Sequence, residues 1–257
     1  MDETTGSPAA LAMIGLGRMG ANMARRLARA GVPVEGYDAQ AASRDALADE
    51  AGLRTHASLA AAVAALPSPR AVWLMLPAGE TTGSTLAELR SLLSPGDLVV
   101  DGGNANYLDS QRRAAELKAA GLAFADCGVS GGVWGLENGY CLMYGTNDAD
   151  AAARVARWAR LLAPAPDRGW LHCGPAGSGH FAKMIHNGIE YGMMQAYAEG
   201  FAILERRADL VPDIAGLAEL WRHGSVVRSW LLDLTAQALA ANPGLDGIAP
   251  YVPDSGE

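Results

Sequence analysis

Between residues 183 and 191 the sequence places five side chains able to hold a substrate or move a proton: Lys183, His186, Asn187, Glu190 and Tyr191. Spaced at i, i+3, i+4, i+7 and i+8, they share one face of any helix that carries them. A core-facing stripe at this spacing would be apolar, and a merely solvated one would be richer in Lys, Glu and Arg pairs. Met184, Ile185, Ile189 and Met193 occupy the other side and are expected to pack. Gly188 and Gly192 in mid-helix cost about 1 kcal/mol each against Ala, so close packing or the approach of a ligand is expected to offset them. The set suits proton transfer beside a hydride-transfer centre. A desolvated Lys183 can act as general base toward a hydroxyl, and Glu190, two turns on, as acid in a second proton step.

A hydride acceptor has its own signature upstream. Gly15-Leu16-Gly17-Arg18-Met19-Gly20 follows an apolar run, opens an amphipathic segment and is answered by Asp38. Gly15 suits a tight turn, Gly17 the approach of a pyrophosphate to the backbone, and Gly20 close packing of helix on strand. Helix N–H groups at Arg18 and Met19 would face the phosphates. Asp38 can accept both ribose hydroxyls and would repel a 2′-phosphate, which favours NAD over NADP, although Arg18 or Arg44 could soften that choice. The competing reading is a glycine-rich turn with an incidental surface Asp.

Leu74-Met75-Leu76-Pro77-Ala78-Gly79 and Asp101-Gly102-Gly103-Asn104 end two later apolar runs, so Leu76, Pro77 and Asn104 are expected to line the cleft. Asn104 could bond both nicotinamide and substrate, or simply cap a turn. Gly128-Val129-Ser130-Gly131-Gly132 offers a hydroxyl and backbone N–H groups, either a small anion-binding loop or a structural turn.

Elements to position these groups follow from periodicity. Residues 11–14, 34–37, 71–76 and 98–100 read as buried parallel strands, with helical patterns at 20–30, 41–51, 59–66, 81–93 and 110–120. Two more strands at 123–126 and 140–144, and a helix from Asp148, extend the same unit. The expectation is an α/β fold: a Rossmann-like doubly wound sheet over residues 1–175, then an all-α domain over 176–257. One long helix is expected at about 178–207, with others at 214–221 and 226–240.

Composition limits the alternatives. The 257 residues carry a net charge of −8, which argues against a backbone-driven nucleic-acid binder. Met1–Pro8 reads as no targeting segment, and no apolar run approaches the length of a membrane span. Cys127, Cys141 and Cys173 have no metal-ligand spacing and read as reduced, small core residues of a cytoplasmic protein, with no metal site expected.

Taken together, the glycine fingerprint, Asp101-Gly102-Gly103-Asn104, Gly128-Val129-Ser130-Gly131-Gly132 with Gly135, and the run Lys183-Met184-Ile185-His186-Asn187-Gly188-Ile189-Glu190-Tyr191 resemble decarboxylating 6-phosphogluconate dehydrogenases. Trp134-Gly135-Leu136-Glu137-Asn138-Gly139-Tyr140 is similar to the shorter bacterial form. The resemblance implies oxidative decarboxylation of 6-phosphogluconate to ribulose 5-phosphate and CO2, with Lys183 as base and Glu190 as acid. It further implies that Asn104, Ser130, Gly131, Gly132, His186, Asn187 and Tyr191 hold substrate. A homo-oligomer, dimer or tetramer, formed through the helical domain is also implied. NADP-preferring members usually carry an Arg just after the second strand, and Tyr37-Asp38-Ala39 lacks it. The sequence ends at Asp254-Ser255-Gly256-Glu257, where such enzymes continue into a segment carrying an Arg or Lys for the substrate phosphate, so truncation is expected. The nearest alternatives are a 3-hydroxyisobutyrate-type dehydrogenase, which needs no His186, Glu190 and Tyr191 together, and an inactive NAD-binding module.

Overall fold

A computed structural model describes residues 9–249 and 251; the two chain ends read above, Met1–Pro8 and Asp254–Glu257, lie outside the described residues. The chain divides into two compact units between Met184 and Ile185.

The first unit alternates strands and helices: β1 (Leu11–Ile14), α1 (Arg18–Arg29), β2 (Val34–Tyr37), α2 (Ala41–Asp45), β3 (Leu53–His56), α3 (Leu59–Ala64), β4 (Ala71–Leu74), α4 (Glu80–Leu92), β5 (Leu98–Asp101), α5 (Tyr107–Ala119), β6 (Ala123–Ser130), α6 (Gly135–Asn138), β7 (Cys141–Gly145), α7 (Ala149–Leu162), β8 (Trp170–Gly174) and the start of α8 (Ser178–Glu205). One eight-stranded sheet runs β3-β2-β1-β4-β5-β6-β7-β8, parallel except that β7 is antiparallel to β6. Strand order reverses between β1 and β4, which opens a crevice at their carboxyl ends. β1, β4 and β5 are wholly buried because helices cover both faces, so each reads as a continuous apolar run. Two clusters sandwich the sheet, one around Met13, Trp73 and Trp158, the other around Ile14, Leu74 and Leu89.

The doubly wound sheet and the helical tail agree with expectation; several boundaries do not. β3 and β8 were not anticipated. Both are edge strands, half-exposed and mixed in polarity (Leu-Arg-Thr-His and Trp-Leu-His-Cys-Gly), so neither shows the apolar run of a central strand. The helix expected at 41–51 closes at Asp45, and the chain turns before Gly52, whose φ is +81°.

The second unit comprises the remainder of α8, α9 (Ile214–Trp221) and α10 (Trp230–Ala241). α10 starts four residues later than expected because the Ser229 hydroxyl caps it, accepting the Leu232 N–H at 3.1 Å. Ala218, Ala236 and Leu239 form its small core, with Phe201 and Ile214 packed on it.

Candidate active site

Cofactor chemistry starts where β1 gives way to α1. Gly15 has φ +90°, and a Cβ there would stand 2.4 Å from the Met75 carbonyl oxygen, so only glycine makes this turn. Gly20 likewise brings α1 against the turn, since its absent Cβ would lie 2.0 Å from the Gly15 carbonyl oxygen. Gly17 differs. Its φ of −64° is ordinary, and among the described residues, its chain neighbours aside, a Cβ would meet nothing within 4 Å. Packing within the chain therefore does not demand glycine at 17. Open space beside an uncapped helix N-terminus with no acidic residue in its first turn is what a pyrophosphate requires.

Asp38, at the end of β2, is tied into the same turn. Its Oδ2 accepts the Leu16 N–H and its Oδ1 the Gln40 N–H, both at 2.8 Å. Arg44 donates to the Asp38 carbonyl at 2.7 Å, so its guanidinium is engaged with backbone beside the carboxylate. Arg18 is exposed and Met19 half-buried on the first turn of α1. The residues present fit a dinucleotide.

Leu76 and Pro77 follow β4, and Met75 donates to the Ile14 carbonyl at 2.7 Å, keeping the β1 and β4 ends side by side. After β5, Asp101 organises the turn into Asn104: its Oδ1 accepts the Gly103 N–H at 3.3 Å and its Oδ2 accepts from Arg113 at 2.7 Å. Arg113 and Asp101 are both buried. Asn104 is half-buried; the Asn that caps α5 is Asn106, whose side chain accepts the Leu108 N–H at 2.9 Å. The α5 cap is thus Asn106 and not Asn104.

β6 delivers Ser130, Gly131 and Gly132 to the same end of the sheet. Just beyond, Arg26 of α1 ties α6 to the end of α7, donating to the carbonyls of Leu136 (3.0 Å), Leu161 (3.1 Å) and Ala163 (2.7 Å). Sequence reading missed Arg26 and Arg113. For Arg26 a signal existed: it has no carboxylate at i±3 or i±4 on its own helix.

α8 is seated on β6 and β7 by absent side chains. A Cβ on Gly128 would stand 2.3 Å from Lys183 Cβ, and one on Gly179 would stand 2.5 Å from the Met143 carbonyl oxygen. Lys183 is consequently only 8% exposed. Gly128 and Ser130 share a face of β6, so Lys183 lies beside the Ser130 strand end. The N-terminus of α8 is fixed by Asp126, whose carboxylate accepts the Gly177 N–H at 2.6 Å and the His180 N–H at 2.8 Å. Burial pushes the Asp126 carboxyl above its ordinary range, while His180 and the two N–H groups hold it back. His180 is buried, its Nδ1 2.7 Å from the Ser110 hydroxyl of α5. Asp126, His180 and Ser110 also escaped the sequence reading.

Farther along α8, in the second unit, Asn187 is 3% exposed, with its Oδ1 2.9 Å from His186 Nδ1. Glu190 Oε2 lies 3.7 Å from the same His186 nitrogen, both side chains half-buried, and Tyr191 is exposed. Lys183 and Asn187 are thus the buried side of the helix. Met184, Ile185, Ile189 and Met193, expected to pack, are exposed instead. Among the described residues, beyond the helix's own backbone, nothing would lie within 4 Å of a Cβ on Gly188 or Gly192 either. Arg222 is engaged with Glu219 and Asp233, and His223 with Glu219.

Only Cys127 is a core residue; Cys141 is exposed and Cys173 half-buried, against the expectation of three core thiols. Desolvation raises the pKa of each, with the Lys183 charge acting against the rise at Cys141. Among the described residues no cluster of three or more His, Cys, Asp or Glu could hold a metal, and no helix is long and apolar enough to cross a membrane.

Comparison with known proteins places this geometry in a family. Residues 10–159 match the model of the NAD binding domain of 6-phosphogluconate dehydrogenase, and residues 179–248 match that of its C-terminal domain. An NAD(+)-dependent, decarboxylating 6-phosphogluconate dehydrogenase of Haloferax volcanii is 44% identical over 89% of this chain and 74% of its own length. The Plasmodium falciparum 6-phosphogluconate dehydrogenase, solved in its apo form and with NADP+ and 6-phosphogluconate, aligns with TM-score 0.86 and 26% identity over 96% of this chain. This chain spans 56% of that one. A Mycobacterium tuberculosis 3-hydroxyisobutyrate dehydrogenase aligns with TM-score 0.73 and 25% identity, over 94% of this chain and 89% of its own. The chain is an oxidoreductase with a nicotinamide-dinucleotide-binding domain, and it belongs to the 6-phosphogluconate dehydrogenase family.

Proposed function

We propose that the chain catalyses oxidative decarboxylation of 6-phosphogluconate to ribulose 5-phosphate and CO2 with NAD. The observation that carries this reading is Lys183: a lysine 8% exposed, beside the strand end bearing Ser130, on the helix that also bears Glu190. Gly15, Gly17, Arg18, Met19, Gly20, Leu76, Pro77 and Asn104 would hold the cofactor, and Asp38 would select the free ribose of NAD. NAD, when bound, supplies the hydride acceptor. Lys183 takes the C3 hydroxyl proton as the C3 hydride departs, and the 3-keto acid so formed loses CO2. Glu190, with His186 3.7 Å away, then protonates C1 of the enediol. Asn104, Ser130, Gly131, Gly132, His186, Asn187 and Tyr191 orient the sugar acid. A homo-oligomer through the helical residues fits the exposed Ile185, Ile189 and Met193, and sedimentation at several concentrations tests it.

Incubation with 6-phosphogluconate and NAD, following NADH and CO2 together, tests the reaction; one CO2 per NADH is expected. The similarity to 3-hydroxyisobutyrate dehydrogenase supports a second reading, a 3-hydroxy-acid dehydrogenase without decarboxylation. NADH formed from a small 3-hydroxy acid, with no turnover of 6-phosphogluconate, would establish that one instead. Lys183→Met is expected to abolish turnover while NADH still binds, and retained turnover would remove Lys183 as base.

A further inference from the structure

We infer that Asp126, His180 and Ser110 are positioning residues that set Lys183 for proton transfer; the inference rests on Lys183 being the base. Three constraints meet at the start of α8. Along the helix axis, Asp126 accepts the N–H groups of Gly177 and His180, so neither carboxylate oxygen can be replaced by a donor without opposing an N–H. About the axis, the buried His180 ring is fixed by Ser110 on α5, the helix that follows the Asn104 turn. Across the axis, the bare Gly128 and Gly179 backbones let α8 lie directly on β6 and β7. Lys183 follows His180 by less than one helical turn, so its backbone inherits all three constraints. Asp126 also lies two residues before Gly128 on β6. One strand therefore both anchors the helix end and receives the lysine. No atom of Asp126, His180 or Ser110 need touch substrate for this to matter, because proton transfer requires hydrogen-bond geometry at Nζ.

Asp126→Asn places an amide donor against one of the two N–H groups and releases that end of the helix. In the full chain, kcat for 6-phosphogluconate is expected to fall about tenfold or more, by analogy with the cost of misplacing reacting groups. The NADH dissociation constant and the number of NADH sites should stay at wild-type values. With substrate deuterated at C3, the isotope effect on kcat should rise, because the slowed step becomes more rate-limiting. A simple loss of folded protein would instead lower kcat and NADH sites in parallel and leave the isotope effect unchanged; that result, or wild-type kcat, overturns the proposal. Should Asp126→Asn fail to fold, Ser110→Ala, which frees the His180 ring, is judged by the same readouts. Lys183→Met run in parallel separates the two ideas. If it retains turnover the base assignment falls, and this inference with it. If it is inactive while Asp126→Asn and Ser110→Ala behave as wild type, only the positioning role falls.

Discussion

Gly128→Ala is the smallest change that reaches the proposed chemistry without touching a functional group. The new methyl would stand 2.3 Å from Lys183 Cβ, 2.9 Å from Lys183 Cγ and 3.1 Å from the Gly179 carbonyl oxygen. Carbon atoms rest at about 3.5–4.0 Å, so Lys183 must retreat by roughly 1.2–1.7 Å. A sideways hop of the side chain cannot relieve this, because the clash is with Cβ and so with the helix itself. α8 must lift, which stretches the Asp126 bonds of 2.6 and 2.8 Å past useful length. A displacement of about 1 Å costs on the order of a hundredfold in rate, and overpacking costs about 1–3 kcal/mol of stability. The expected outcome is kcat down about a hundredfold, NADH affinity kept, and Tm lowered by roughly 2–4 °C per kcal/mol lost. Steady-state kinetics, NADH fluorescence titration and thermal melts read the three quantities. Gly83→Ala is the control: its methyl meets nothing within 4 Å in mid-α4, so Tm should rise slightly with kcat unchanged. A folded Gly128→Ala protein with kcat within threefold of wild type would refute the reasoning.

Other outcomes follow from single contacts. Asp38→Arg or Asp38→Ala should move the ratio of kcat/KM values from NAD toward NADP, with Ala also losing about 1 kcal/mol because Leu16 loses its acceptor; an unmoved ratio would dismiss the ribose assignment. Arg113→Met leaves the buried Asp101 carboxylate unpaired and should cost about 3–5 kcal/mol by urea denaturation, which a loss under 1 kcal/mol would contradict. Tyr140 is buried, its hydroxyl has no hydrogen-bond partner among the described residues, and burial raises its pKa from 10.0 to about 12. The unfolded chain therefore ionises Tyr140 first, so stability falls as pH rises from about 10 toward 12. Tyr140→Phe should flatten that alkaline slope in denaturation curves taken at pH 8 and pH 11, and an unchanged slope would argue otherwise.

Much of the fold was legible because its central strands are buried on both faces and declare themselves as apolar runs. β1 and β2 emerged with the observed boundaries, and the glycine fingerprint located the turn between β1 and α1. The edge strands β3 and β8 did not, since half-exposed strands mix polarity. The five-residue face on α8 was readable from spacing, but its orientation was not. Periodicity assigns the apolar side to the core, whereas at the start of α8 the bare Gly128 and Gly179 set Lys183 against the sheet. Asp126, His180 and Arg113 were invisible, and Arg26 showed only in lacking a carboxylate on its own helix, for a common reason: each acts through partners 12 to 137 positions away, many of them backbone atoms that leave no mark in side-chain pattern.

Arg26 carries one more consequence. It grips α6, just beyond Ser130, and the end of α7 through main-chain carbonyls, those of Leu136 and Glu137 on the one side and Leu161 and Ala163 on the other, from the helix whose first turn is proposed to face the dinucleotide. The path of the loop between Ser130 and α6 is thereby specified while the identities of its side chains are not. If that loop holds the substrate as proposed, substitutions there would retune which acid is accepted without rebuilding the nucleotide end of the crevice, so that specificity could drift while redox capacity is inherited intact.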